Sequence, residues 1–327
     1  MKVAMYNTQK EEKSYALDYA SNRGLDIDVF LDSFSITHLR QQPQVYDALI
    51  VSGFCFLDDK CMMELKKYGI HCIVTRSAGY DKLDVEAARK QGIDVANVPS
   101  YAPNAVSEFT LALVLASVRN LKPLQKRSEQ YVFSKNGLQT REIRNMRVGI
   151  IGTGRIGFEV IKHFSGFTND IVAYDVFENT EVTKYAQYVG IDTLYQSSDI
   201  ICLHVPLSED NYHMINEKVL NTMKDGVIIV NTSRGALIDT KALLKAINTG
   251  KVSRAALDVY EFESKFYKKK TPIKDSLLTS MIENDRIILT PHIAFYTQEA
   301  VRNLVVYAID NVVTFQKEGK TKYSLCT

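Results

Sequence analysis

Three residues in the carboxyl-terminal half of the chain, Arg234, Glu263 and His292, have the types needed to move a proton beside a carboxylate. Arginine stays charged and grips a carboxylate through two parallel N–H bonds. Histidine titrates near neutral pH, and a neighbouring carboxylate stabilises its protonated ring. Taking hydride from a secondary alcohol next to a carboxylate requires this set: an anion anchor, a proton acceptor and a group to tune the acceptor. Each residue follows an apolar run of strand length, Arg234 after 227–231, Glu263 after 255–259 and His292 after 287–290. Ligands of open α/β sheets bind beyond the carboxyl ends of the strands, so the three are expected to converge on one crevice. Glu261 lies close enough to Glu263 to be the alternative partner of the histidine, whereas His71, His163, His204 and His213 are expected to be satisfied core histidines.

A hydride carrier is implied upstream. The apolar run 148–151 leads into Gly152, Thr153, Gly154, Arg155, Ile156 and Gly157, and an apolar-periodic segment with Val160, Ile161 and Phe164 follows. This is G-x-G-x-x-G between a strand and a helix: one glycine for the turn, one for backbone approach to a pyrophosphate, one for close helix packing. The helix amino end favours the phosphates. Asp175 ends the next run, 171–174, at the interval expected of the carboxylate that accepts the adenosine ribose hydroxyls. That charge repels a 2′-phosphate, and Val176, Phe177 and Glu178 supply no arginine to reverse it, so NAD is expected rather than NADP.

The elements that must position these groups alternate along the chain. Runs at 3–6, 27–30, 48–51, 72–75 and 95–98 read as strands, with helix-length mixtures such as 11–23 and 57–67 between them. Two prolines in 99–103 break the rhythm, the strongly apolar 105–118 reads as a long buried helix, and a second alternation with six strand candidates starts at Arg147. The expected fold is α/β, two doubly wound parallel-sheet domains with a cleft between them. Residues 1–100 with 297–327 would form one domain and 101–296 the other, the helical pattern 297–315 returning to the first. A homodimer through 105–118 is expected, because so apolar a stripe needs burial beyond one sheet face.

Composition narrows the partners. Two domains suit 327 residues, and 46% apolar with 24% charged residues is globular. A net charge of +2 lacks the basic footprint of a nucleic-acid binder, and Lys268 to Lys270 reads as a solvated loop. Cys55, Cys61, Cys72, Cys202 and Cys326 include no C-x-x-C pair, so no metal is expected and a reduced cytoplasmic home fits. No apolar run is long enough for a membrane span or a signal segment.

Taken together, Gly152 to Gly157, Asn231 to Gly235, Asp258 to Glu263 and Pro291 to His292 resemble the D-specific 2-hydroxyacid dehydrogenases, in that family's order and with the glycine motif mid-chain. Asn97 to Tyr101, Arg234 to Leu237 and Thr290 to Thr297 resemble its D-lactate and D-2-hydroxyisocaproate branch. The resemblance implies a flavodoxin-like catalytic domain and a Rossmann NAD-binding domain. It implies that Arg234 binds the substrate carboxylate and keto oxygen, that His292 is the general acid and base, and that Glu263 pairs with it. It further implies substrate contacts from Ala78, Gly79, Tyr101 and Tyr296. NAD contacts are implied for the glycine loop with Arg155 and Ile156, and for Asp175, Val205, Pro206, Asn211, Thr232, Ser233, Arg234 and Asp258. Pyruvate is the expected keto acid, with 2-ketoisocaproate and phenylpyruvate as alternatives that depend on the packing of Ser52, Phe54, Tyr101, Phe295 and Tyr296. Two remoter readings share the fold: a formate or phosphite dehydrogenase, and a non-catalytic NAD-sensing corepressor resembling the eukaryotic C-terminal-binding proteins. The segment 294–297 speaks against the former, and the absence of low-complexity tails against the latter.

Overall fold

The computed structural model describes residues 1–42, 44–266 and 274–326; the cationic run Lys268 to Lys270 lies outside them. The chain forms two compact units, Met1–Ala102 with Tyr296–Thr327, and Pro103–Phe295.

In the first unit the early apolar runs become β1 (Lys2–Met5), β2 (Asp26–Val29), β3 (Ala48–Ser52), β4 (Cys72–Arg76) and β5 (Asp94–Ala96). All pair in parallel in the order β2-β1-β3-β4-β5, the flavodoxin-like arrangement. Parallel strands covered on both faces read as continuous apolar runs, and Ala48, Leu49, Ile50 and Val51 are each 0% exposed. The helix Gln298–Glu318, capped by the Thr297 hydroxyl on Ala300 N, packs on β3, β4 and the helix Lys10–Asn22. The terminal residues are then laced to β5: Asp94 accepts from Thr321 N at 2.7 Å and from Ser324 Oγ at 2.5 Å, and Leu325 N donates to Val95 O at 2.7 Å.

The second unit holds β6 (Val148–Ile151), β7 (Ile171–Tyr174), β8 (Gln187–Tyr188), β9 (Ile200–Leu203), β10 (Val227–Asn231), β11 (Val252–Leu257) and β12 (Ile287–Leu289). Their order is β12-β11-β10-β9-β6-β7-β8, again all parallel. The sheet therefore has seven strands rather than the six expected. The extra one, β8, is two residues long at the edge and has no apolar run to announce it.

The apolar helix Pro103–Val118 buries one face inside its own unit. Leu113, Val114 and Val118 are buried in one cluster with Val160, Ile161 and Phe164, the inward face of the helix Arg155–Phe164. Phe109, Leu111 and Leu115 are only partly buried against this cluster, so the helix keeps apolar surface beyond it. Large apolar side chains also stand exposed after it: Tyr131 is 87% and Phe133 85% exposed.

Candidate active site

The order of strands reverses between β6 and β9, and the glycine loop follows β6 at that switch point. Gly152 has φ +95°, and a Cβ there would sit 2.7 Å from the His204 carbonyl carbon and oxygen. A Cβ on Gly157 would lie 1.9 Å from Gly152 O, so the helix Arg155–Phe164 approaches the turn only as glycine. Around Gly154, its N-cap, the Cβ direction is open, which leaves room for a pyrophosphate against the N–H groups of Arg155 and Ile156.

Asp175 ends β7 facing that loop. Its Oδ2 accepts from Thr153 N at 2.5 Å and Thr153 Oγ1 at 3.1 Å, and its Oδ1 accepts from Phe177 N at 3.1 Å. Thr153 Oγ1 also lies 2.7 Å from the Tyr188 hydroxyl, which accepts from Asn179 N at 2.8 Å. Tyr188, a β8 residue that no sequence motif marks, thus braces the carboxylate through Thr153. Across the crevice, Asn211 Nδ2 donates to Pro206 O at 2.7 Å, and Ser233 Oγ donates to Val205 O, joining the loops after β9 and β10. The Thr232 hydroxyl lies 2.9 Å from that of Thr110. Asp175→Ala should weaken NADH binding about tenfold or more and narrow the preference against NADPH, since ribose acceptor and repelling charge go together. Coenzyme titration checks this; an unchanged NADH to NADPH ratio would refute the assignment.

Arg234, Glu263 and His292, the residues expected to bind the carboxylate and move the proton, follow three adjacent strands, β10, β11 and β12. After β10, Asn231 Oδ1 accepts from Ser233 N at 2.9 Å and its Nδ2 donates to Arg234 O at 2.8 Å, which closes the turn that carries the guanidinium. Gly235 then presses on the next loop: a Cβ would meet the Tyr260 carbonyl carbon at 2.2 Å and Glu261 N at 2.3 Å. After β11, Asp258 is 1% exposed, and its carboxylate accepts from Thr290 Oγ1 at 2.6 Å and from Ile293 N and Ala294 N at 2.9 Å each. Asp258, inferred from the resemblance as an NAD contact, therefore shapes the loop of His292. His292 itself has φ +53°, a left-handed conformation costly for a side chain bearing Cβ, and its N–H donates to Asp258 O at 2.7 Å.

His292 Nδ1 donates to Glu263 Oε1 at 2.9 Å, both side chains being about one-fifth exposed. Engaging Nδ1 with a carboxylate fixes the tautomer and orientation of the ring. Glu261 has a separate partner: its Oε1 lies 2.8 Å from His213 Nε2 and its Oε2 accepts from Thr240 N at 3.3 Å. The ambiguity between the two glutamates is resolved by which way the loop turns them. None of the other four is a satisfied core histidine: His163 Nδ1 and His204 Nε2 are buried without a partner among the described residues. His71 is exposed just ahead of β4, and His213 is half-buried in its ion pair, in the segment between β9 and β10.

His204, directly after β9, has Nε2 sealed from solvent without a hydrogen-bond partner among the described residues. That enclosure lowers its pKa from the ordinary 6.5 to about 4. The folded chain keeps the ring neutral where the unfolded chain takes up a proton, so its contribution is complete above pH 6.5 and is lost as pH falls toward 4. Acid should cost the unliganded chain at most about 3 kcal/mol through this ring. Denaturant titrations at a series of pH values should show His204→Asn with a flatter acid limb; identical slopes would assign the loss elsewhere.

Ala78, Gly79, Tyr101 and Tyr296 belong to the first unit, whereas Arg234, Glu263 and His292 belong to the second. Ala78 and Gly79 follow β4, Tyr101 O accepts from Asn303 Nδ2 at 2.7 Å, and the Tyr296 residue is 51% exposed.

A parallel sheet with a glycine turn at its switch point, and an Arg, Glu and His set at adjacent strand ends, defines a nucleotide-dependent oxidoreductase. Residues 111–294 match the model of the D-isomer specific 2-hydroxyacid dehydrogenase NAD-binding domain. The chain belongs to that family and is an NAD-dependent D-2-hydroxyacid dehydrogenase. It is 40% identical over 328 residues, 98% of each chain, to an aromatic 2-oxoacid reductase of Clostridium sporogenes. To a D-lactate dehydrogenase of Treponema pallidum it is 36% identical over 320 residues, 96% of each. Its structure resembles that of a D-2-hydroxyisocaproate dehydrogenase with a TM-score of 0.90 at 31% identity, covering 100% of both chains.

Proposed function

We propose that the chain reduces pyruvate to D-lactate and accepts larger 2-keto acids in the same way. The observation that carries this reading is the His292–Glu263 pair at 2.9 Å, beside the loop that carries Arg234. Bound NADH supplies the hydride to the keto carbon. Arg234 holds the substrate carboxylate and polarises the keto oxygen, and protonated His292 gives its Nε2 proton to that oxygen, with Glu263 retaining the ring at Nδ1. Oxidation of the hydroxy acid reverses each transfer and needs the neutral ring. Ala78, Gly79, Tyr101 and Tyr296 complete the substrate contacts in this reading.

A second reading makes an aromatic keto acid the preferred substrate. It is favoured by the name of the 40% identical relative. Comparing kcat/KM for pyruvate, 2-ketoisocaproate and phenylpyruvate with NADH decides between them. Pyruvate highest supports the first reading, phenylpyruvate highest the second, and no turnover of any refutes both.

We further infer a cytoplasmic homodimer. The five cysteines include no C-x-x-C pair, which suits a reducing compartment, and the exposed Leu121, Tyr131, Val132 and Phe133 are apolar side chains suited to a second copy. A monomer mass in sedimentation at micromolar concentration would count against the dimer.

A further inference from the structure

The peptide groups that follow β4 are held by their carbonyls. Ser77 O accepts from Val98 N at 2.9 Å. Ala78 O accepts from Asn97 Nδ2 at 2.6 Å. Gly79 O accepts from Ser77 Oγ at 2.6 Å, and that hydroxyl lies 2.9 Å from Thr75 Oγ1. In a trans peptide the C=O and the following N–H point in opposite directions. Drawing the Ser77 and Ala78 carbonyls toward 97–98 therefore turns the N–H groups of Ala78 and Gly79 together to the other side. Among the described residues neither N–H donates to the chain, and both residues are only half-buried. Two adjacent N–H groups facing one way form an anion-binding concavity.

We propose that Asn97 is a positioning residue for the reaction: by holding the Ala78 carbonyl it aims the Ala78 and Gly79 amides at the carboxylate of the 2-keto acid. The proposal rests on the dehydrogenase reading and names what sets that half of the anion site. Asn97 is 6% exposed, so its amide is committed to this contact rather than to water. A neutral donor is required here, because an aspartate would repel both the Ala78 carbonyl and the bound carboxylate. Ser77 does the same for the next carbonyl, and Gly53 holds Ser77 in place, since a Cβ there would lie 2.5 Å from Ser77 Cβ.

The test uses the full chain, NADH and oxamate, a carboxylate-bearing analogue of pyruvate. Asn97→Ala should raise the KM for the keto acid and the Kd for oxamate about ten- to a hundredfold, the loss of well-aimed hydrogen bonds to a charged group. NADH affinity should stay within about twofold and kcat within about threefold. Ser77→Ala, a milder release of the same loop, should shift KM in the same direction and serves if Asn97→Ala fails to fold. In the parent, the amide resonances of Ala78 and Gly79 should move on adding oxamate to the NADH complex. The inference is overturned if those resonances stay still, if the variants bind oxamate as the parent does, or if NADH affinity and kcat fall in step with KM. If the parent neither binds oxamate nor reduces any 2-keto acid, the dehydrogenase reading itself fails, a result distinct from the others.

Discussion

Replacing His292 by alanine is expected to lower the turnover of keto-acid reduction by roughly 10² to 10⁴, the usual worth of a positioned general acid. In the proposed mechanism the proton passes through this ring, whose Nδ1 is committed to Glu263 at 2.9 Å. NADH binding should persist, because the glycine loop and Asp175 follow β6 and β7 whereas the imidazole follows β12. Reduction needs the protonated ring and oxidation the neutral one, so the two directions should show opposite pH trends in the parent. Glu263→Gln keeps size but takes the carboxylate acceptor from Nδ1, so the ring loses its fixed tautomer and orientation and the reduction profile should drop across its whole range. Steady-state profiles in both directions check both variants. Near-full turnover in His292→Ala, or a Glu263→Gln profile that overlays the parent, would remove these residues from the proton path.

The largest effect on the framework of the site is expected from Asp258→Asn. The carboxylate is 1% exposed and receives two backbone N–H groups and a threonine hydroxyl. An amide of the same shape must turn one NH₂ toward a backbone N–H, a donor facing a donor, and it forfeits the charge that strengthened all three bonds. The cost should be on the order of 3 to 5 kcal/mol, as when a buried hydrogen-bonded charge loses its complement. The same three bonds hold the backbone of His292 at φ +53°, so the ring should lose its aim as well, with kcat falling about ten- to a hundredfold. Thermal unfolding and single-turnover reduction measure the two parts. A variant with the parental midpoint and the parental rate would show that the loop holds its shape without Asp258.

Much of this site can be read from the residues in order. G-x-G-x-x-G declares itself because only glycine fits where a Cβ would fall 1.9 Å from Gly152 O, and the restriction shows as residue type at fixed spacing. Asp175, Arg234 and His292 are legible for a related reason: each ends or follows a short apolar run, and in a parallel sheet that end is where ligands meet the chain. The alternation of such runs with amphipathic segments likewise fixes two parallel sheets, since strands buried on both faces must be apolar throughout. Tertiary structure alone decided the rest, because those features depend on which way a loop turns or what lies across a crevice. Glu261 and Glu263 are the same residue type two positions apart, and only the turn after Tyr260 sends one to His213 and the other to His292. The edge strand Gln187–Tyr188 carries no periodic signal, yet its tyrosine braces Thr153. The composition of the apolar helix Pro103–Val118 does not say which of its faces meets the helix Arg155–Phe164. Asn97 is an ordinary polar residue until the fold sets it 2.6 Å from a carbonyl 19 residues earlier in the chain, since a hydrogen bond over that separation is written in packing and not in spacing.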